Sequence, residues 1–244
     1  DGIVWEDVKA GNTHILAETD AGQLYSWGSG SDYQLGNEST VPRSSPVAIS
    51  TVSSFASWST VSSSNTFSLA IRQDTGKLYA WGDNTYGQLG NGSTVSTSFA
   101  ILISSSSWSF VQATANTAYG ITTDNKLYVW GRNNYGQIGD GTTIDKSSLT
   151  QISGSWSTVS GSDLFHSAGV KSDGTLYTWG RNNVGQLGDG TTVNKSSPVS
   201  IGSSSWTKVT TGDEFTLGIT LNGNLYAWGQ NSKRTLGQAD TDNR

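Results

Sequence analysis

One pentapeptide, Leu-Tyr-x-Trp-Gly, occurs five times, at Leu24–Gly28, Leu78–Gly82, Leu127–Gly131, Leu176–Gly180 and Leu225–Gly229. Its tryptophans, Trp27, Trp81, Trp130, Trp179 and Trp228, are separated by 54, 49, 49 and 49 residues. At such a period each unit is one supersecondary element that buries its apolar face only against its neighbours. A second series, Trp5, Trp58, Trp108, Trp156 and Trp206, runs 22 or 23 residues ahead of the first, so all 10 tryptophans belong to the repeat. They are therefore assigned to packing, and none is left for a separate aromatic site.

The repeats divide the chain at about 1–49, 50–103, 104–152, 153–201 and 202–244, as a single domain with no room for a second. Within a unit, short apolar stretches alternate with turn signals. Asp173-Gly174 and Asn222-Gly223 separate strand-like runs and accept the positive φ of a tight hairpin. Because alternate strand residues share a face, Tyr177 and Trp179 point one way and Leu176 and Thr178 the other, which predicts that the Tyr/Trp face stacks on the next sheet. Small residues one strand earlier, Ala17, Ala70, Gly120, Gly169 and Gly218, mark places where sheets or backbones approach closely. With no helical period, each unit reads as a sheet of three or four strands. The fold class is all-β: a propeller of five repeats, either five-bladed or an open arc of a larger ring.

Composition narrows the function. A net charge of −5 and a pI near 4.9 argue against nucleic acid as partner. The absence of Cys removes disulfide and thiolate chemistry. A core of aromatic and β-branched residues is covered by 39 Ser and 29 Thr. No apolar run reaches transmembrane-helix length and no signal-peptide pattern is present, so the chain is expected to be soluble. A chain that starts at Asp1 and holds no Met is expected to be processed or an excerpt.

Leu-Tyr-x-Trp-Gly, followed by Asn-x-x-Gly-Gln-Leu-Gly-x-Gly and then Ser-Ser-Pro-Val-x-Ile, resembles the repeat of the regulator-of-chromosome-condensation propeller family over essentially the whole chain. Asn84–Gly92, Asn133–Gly141 and Asn182–Gly190 carry the middle segment. The resemblance implies propeller blades, and it implies guanine-nucleotide exchange on a small GTPase as an alternative function. Family members are commonly seven-bladed and closed by strands from both termini. Here repeat one lacks the usual Asn and first Gly in Ser29–Gly36. Repeat five degrades at Lys233–Gly237 and has no Pro-Val-x-Ile strand. That incomplete repeat is expected to serve as an edge for homo-oligomerisation or larger assembly.

The chemical candidates are sparse. His14 and His166 occupy equivalent repeat positions and are expected to be structural, since catalysis needs distinct partners converging on one point. The glycine-rich segments lead to loops, not to a helix N-terminus, and are read as turns, not phosphate cradles. Asp140-Gly-Thr and Asp189-Gly-Thr lack the alternating ligands of a calcium loop. No catalytic residue, cofactor site or metal site is assigned.

Candidate interaction loops are Asp32, Tyr33 and Phe55, the repeat-equivalent cations Arg132 and Arg181 with Tyr135, the matched Lys146 and Lys195, and the deviant tip Lys233 and Arg234. Phe55 lies in an insertion at Ser50–Ser57, which the scaffold does not dictate. Three Asn-x-Ser sequons start at Asn37, Asn91 and Asn194. The reading is a non-catalytic interaction or structural scaffold that displays loops to a protein or glycan. Its hydroxyl-rich, cysteine-free composition favours an extracellular or phage/virion surface setting.

Overall fold

A computed structural model of the chain describes residues 2–49, 57–237 and 240–243, folded as antiparallel sheets. The first sheet holds β1 (Trp5–Ala10), β2 (His14–Thr19), β3 (Leu24–Gly28) and β4 (Arg43–Ala48). The second holds β5 (Trp58–Ser63), β6 (Phe67–Arg72), β7 (Leu78–Gly82) and β8 (Thr97–Ser104). The third holds β9 (Trp108–Ala113), β10 (Thr117–Thr122), β11 (Leu127–Gly131) and β12 (Lys146–Ile152). The fourth holds β13 (Trp156–Gly161), β14 (His166–Lys171), β15 (Leu176–Gly180) and β16 (Lys195–Ser200). The fifth has three strands among the described residues, β17 (Trp206–Thr211), β18 (Phe215–Thr220) and β19 (Leu225–Gly229). Every sheet is a meander in chain order. First strands approach one another, β5 with β9 and β13 with β17, so the first strand of each blade is innermost.

The two tryptophan series have different tasks. Trp108, Trp156 and Trp206 lie across the small residue of the neighbouring strand: a Cβ on Gly120 would sit 2.5 Å from Trp108, and one on Gly169 2.8 Å from Trp156. The small residues thus make room for an indole of their own sheet, where the sequence pointed to contact between sheets or backbones. That indole then meets the motif leucine of the preceding blade, Trp58 with Leu24, Trp108 with Leu78, Trp156 with Leu127 and Trp206 with Leu176.

The motif tryptophans turn toward the preceding sheet, not the next. Trp179 clusters with Tyr119, Val129 and Ile138 of the third blade. Its Nε1 donates to the Gln137 carbonyl at 2.8 Å; Trp81 and Trp130 do the same to Gln34 and Gln88. It is the Leu face that packs on the next blade.

The stack ends at both sides. Leu24, Leu78, Leu127 and Leu176 are buried, but their counterpart Leu225 is 66% exposed, and Trp5 is 42% exposed on the first blade. Among the described residues the outward faces of the first and fifth sheets are therefore left exposed, and the five blades stand as an open arc.

Candidate functional site

The hairpin joining the first and second strands and the connection joining the third and fourth meet at one end of each blade. Arg132 N–H donates to Asn116 O at 2.9 Å, Arg181 N–H to Phe165 O at 2.9 Å and Gln230 N–H to Glu214 O at 2.8 Å. The connection is held from inside. Asn133 Oδ1 accepts from Ile138 N–H at 2.9 Å while its Nδ2 donates to the Thr142 and Ile144 carbonyls, and Asn84 and Asn182 repeat the pattern. Gln137 Oε1 accepts from Tyr135 N–H, and its carbonyl takes the Trp179 indole. The loop register is thus locked to the next blade, which fixes what the loop displays.

Across this end runs a ribbon of alternating rings and cations. The Arg132 guanidinium lies between Tyr86 and Phe165, at 4.8 and 4.9 Å from the ring centroids. Tyr135 stacks on Phe165 at 5.4 Å and 21°. Arg181 lies 5.5 Å over Tyr135 and 3.7 Å from Glu214 Oε1. Such contacts contribute about 0.5–2 kcal/mol each, according to desolvation. Four blades therefore meet in one partly buried surface.

Phe165 owes its place to a departure from the repeat. Trp156 to His166 spans one residue more than Trp58 to Phe67 or Trp108 to Thr117, and the extra residue falls in the β13–β14 hairpin. Phe165 there adopts φ 74°, a conformation that strains a bulky residue and is retained where the surroundings over-determine it. Asp163 of the same hairpin accepts from Ala115 N–H at 2.7 Å, tying the insertion to the third blade.

Of the residues singled out from sequence, Arg132, Tyr135 and Arg181 come together here. Lys146 and Lys195 do not: they pair with Asp140 and Asp189 of their own loops at 2.8 and 3.4 Å. Both Asp carboxyls lie below the usual range, held down by hydrogen bonds from Thr142 or Thr191 and by the adjacent Lys, against the opposing effect of burial. Asp32 accepts from Ser31, and Lys233 and Arg234 are exposed on the fifth blade. Phe55 lies outside the described residues.

Tyr33 and Arg234 stand where other repeats have Gly87, Gly136 and Gly185, and both keep the left-handed backbone, φ 63° and 59°. The fifth loop is less degraded than its letters imply. Asn231 Oδ1 still accepts from Leu236 N–H at 3.0 Å and Asn243 caps Asn231 N–H at 2.9 Å, as Asn194 caps Asn182. The side chains of Asn91 and Asn194 are likewise engaged in loop hydrogen bonds.

Sequence reasoning missed Tyr86, Phe165 and Glu214. The one-residue lengthening before His166 was the available signal for Phe165.

The histidines face blade boundaries instead. His14 Nε2 lies 2.8 Å from Ser68 Oγ, and His166 Nε2 3.0 Å from Thr216 Oγ1 with Nδ1 2.9 Å from Ser162 Oγ. Burial pushes His14 down to about 4 and His166 to about 3, so both are neutral imidazoles at neutral pH. Among the described residues no group of three or more His, Asp or Glu is placed to hold a metal ion.

The chain is similar to parts of longer proteins. It is 38% identical to the human E3 ubiquitin-protein ligase HERC2 over 93 residues, 37% of this chain and 2% of that protein. It is 39% identical over 83 residues to the Caenorhabditis elegans homolog of the X-linked retinitis pigmentosa GTPase regulator, 34% of this chain and 6% of the other. Among solved structures, human WBSCR16 superposes with a TM-score of 0.81 at 20% identity, covering 98% of this chain and 65% of that one. Yeast RCC1 (Prp20), solved bound to Kap60, gives 0.79 at 18%, covering 97% and 59%. The chain thus spans about two thirds or less of these structures and a small fraction of the curated relatives. The model of the RCC1-like domain matches residues 1–244, and the chain belongs to that family.

Proposed function

We propose that the chain is a non-catalytic protein-interaction scaffold whose working surface is the ribbon Tyr86–Arg132–Phe165–Tyr135–Arg181, and that it receives an acidic segment of a protein partner. The observation that carries this reading is the state of Arg132. Two rings, from the second and fourth blades, have their centroids 4.8 and 4.9 Å from its guanidinium carbon, and among the described residues its guanidinium makes no hydrogen bond or ion pair, whereas Lys146, Lys195 and Arg181 each have a carboxylate. A guanidinium so held keeps its N–H edge in one orientation, and that edge matches a carboxylate bidentately at low entropic cost. The left-handed backbone at Phe165, φ 74°, sets its ring against Arg132 and Tyr135 within the ribbon and supports a binding role for this end of the blades.

Solved relatives described as bound to Kap60, and studied for binding to Gsp1p and histones, support a protein as the ligand class. Peptide display against the immobilised chain tests the reading. Selected sequences should carry Asp or Glu beside an apolar residue and should lose binding to Arg132→Gln and Phe165→Gly. Peptides that bind those folded variants as well as wild type would overturn it.

The alternative, a regulator of a small GTPase, draws on the relative described as a GTPase regulator homolog. It predicts faster release of labelled GDP from a GTPase panel when the chain is added. An extracellular or virion-surface setting remains our proposal from the hydroxyl-rich composition, and fractionation of the native source tests it.

A further inference from the structure

Four outer strands, β4, β8, β12 and β16, each end their sheet, paired with the third strand on one side and with no strand on the other among the described residues. Three of them carry residues that keep an open edge from pairing with another chain, a charge or a proline. β4 has Arg43 and Pro46, β12 has Lys146, and β16 has Lys195 and Pro198. β8, Thr-Ser-Phe-Ala-Ile-Leu-Ile-Ser, has neither over its 8 residues.

Pairing with the third strands aligns these edges residue by residue. Thr97 stands where the others place Arg43, Lys146 and Lys195, and Ala100 where β4 and β16 place Pro46 and Pro198. Proline has no N–H, so the ladder to the third strand does not use a donor at that position, and in β8 the same position adds one to the open edge. Phe99 is 42% exposed and Leu102 50% exposed. The residues aligned with Phe99 are Ser45, Ser148 and Ser197, and those aligned with Leu102 are Ala48, Gln151 and Ser200.

Glu38, in the first-blade loop beside this edge, stands where sister loops have Gly92, Gly141 and Gly190, and it holds φ 62°. Its N–H donates to Ser98 O at 2.9 Å, and its carboxylate makes no ion pair among the described residues. Glu38 and Phe99 line one recess of about 310 Å³ together with Ser98 and Ala100. An unprotected edge, two exposed apolar side chains and an acid in left-handed backbone are three departures from the repeat, and they fall at one place.

We propose that the outer edge of β8 is a strand-docking site for an extended basic and apolar segment of a partner protein. A run of β-branched residues pairs with the β8 backbone and covers Phe99 and Leu102, while a Lys or Arg is set against Glu38. Backbone pairing supplies the binding and the side chains the choice of partner, as in strand addition at a sheet edge. The unpaired Glu38 selects a basic segment and rejects an acidic one by like-charge repulsion. A second copy is a poorer occupant, since β8 itself brings no cation to Glu38. The edge shares no residue with the ribbon and does not rest on it.

The test is fluorescence anisotropy with labelled peptides of 8 residues, the length of β8, built of Val, Ile and Thr with one Lys at each position in turn. A matched set carries Glu for Lys. Saturable binding is expected from members of the Lys set and none from the Glu set. Three variants copy residues that the sister blades already hold, Phe99→Ser with Leu102→Gln, Ala100→Pro, and Glu38→Gly. Each should bind about tenfold more weakly or less, the loss expected of a central anchor. Glu38→Gly should do so without lowering the unfolding midpoint, which separates lost recognition from lost structure. No binding of the Lys set to the wild-type chain would overturn the proposal, as would equal binding of both sets or wild-type affinity in the folded variants. A concentration-dependent dimer that Ala100→Pro abolishes would assign the edge to a second copy and overturn the partner segment.

Discussion

His166 Nε2 and Thr216 Oγ1 meet at 3.0 Å across the boundary between the fourth and fifth blades, and the same pair of positions meets polar with polar at the first boundary and apolar with apolar at the second. His14 faces Ser68 at 2.8 Å. Phe67 packs in one cluster with Ala118, so an apolar donor position meets an apolar acceptor. At the third boundary Thr117 is short, and Tyr119, two residues on, reaches Ser167 at 2.8 Å instead. Each hydroxyl side chain also donates to the preceding loop, Ser68 to Gln34 O, Ser167 to Gln137 O and Thr216 to Gln186 O. At the first, second and fourth boundaries these positions are thus matched polar with polar or apolar with apolar, and at the third Tyr119 supplies the polar partner.

This matching predicts non-additive mutants. His166→Phe strands the Thr216 hydroxyl on one side, and Thr216→Ala strands the imidazole; each should cost about 1–3 kcal/mol. The double mutant reproduces the Phe67 and Ala118 arrangement and should cost less than the sum, with a coupling of about 0.5–3 kcal/mol. Urea denaturation of the four proteins measures it. Strict additivity would show that the two side chains are merely adjacent.

Acid should destabilise the protein through the same residues. The folded values of about 4 for His14 and about 3 for His166 lie below the ordinary 6.5. Between those limits the unfolded chain binds more protons, so stability rises with pH and is lost as pH falls from 6.5. The slope contributed by one fully depressed imidazole is about 1.4 kcal/mol per pH unit. The double mutant His166→Phe/Thr216→Ala should flatten the stability profile between about pH 4 and 6 by an amount of that order. An unchanged slope in denaturant melts across this range would place the acid sensitivity elsewhere.

Trp179 is fully buried and its Nε1 is engaged by Gln137 O. Trp179→Ala should therefore cost about 3–5 kcal/mol. Trp27, on the uncovered side of the first blade, is only partly buried and is the internal control. Its replacement should cost clearly less in the same unfolding assay. Equal losses would mean that the indoles stabilise their own sheets, not the stacking of blades.

The five sheets were legible because the tryptophan period and the turn dipeptides are local signals, repeated often enough to fix strand positions. The direction of packing was not. Whether Trp179 turns to the third or the fifth blade depends on the handedness of the stack, which period-2 alternation does not encode. The cations illustrate the same limit. Arg132 and Lys146 are both repeat-equivalent to a neighbour, but Lys146 is claimed by Asp140 six residues earlier while Arg132 is claimed by rings from two other blades. Only the fold brings Tyr86 and Phe165 to the same guanidinium. The closing register of the fifth loop was hidden because Arg234 stands at a glycine position, although Asn231 and Leu236 keep the spacing that holds the loop.

The two non-glycine residues at that position invite a last experiment. Tyr33 and Arg234 hold φ 63° and 59° where three sister loops use glycine. Neither side chain makes a ring contact or ion pair among the described residues that would offset the strain, which is of order 1–3 kcal/mol for such a conformation. Replacing either by Gly also frees the unfolded chain, which cancels part of the gain, and a net stabilisation of about 0.5–1 kcal/mol is expected from each. Denaturant titration of Tyr33→Gly and Arg234→Gly checks the sign. Stabilised variants would show that the chain retains these side chains at a cost to its fold, as expected of loop tips kept for contact with another molecule. Destabilised variants would show that Tyr33 and Arg234 support their loops through contacts of their own, and would remove both from the interaction surface.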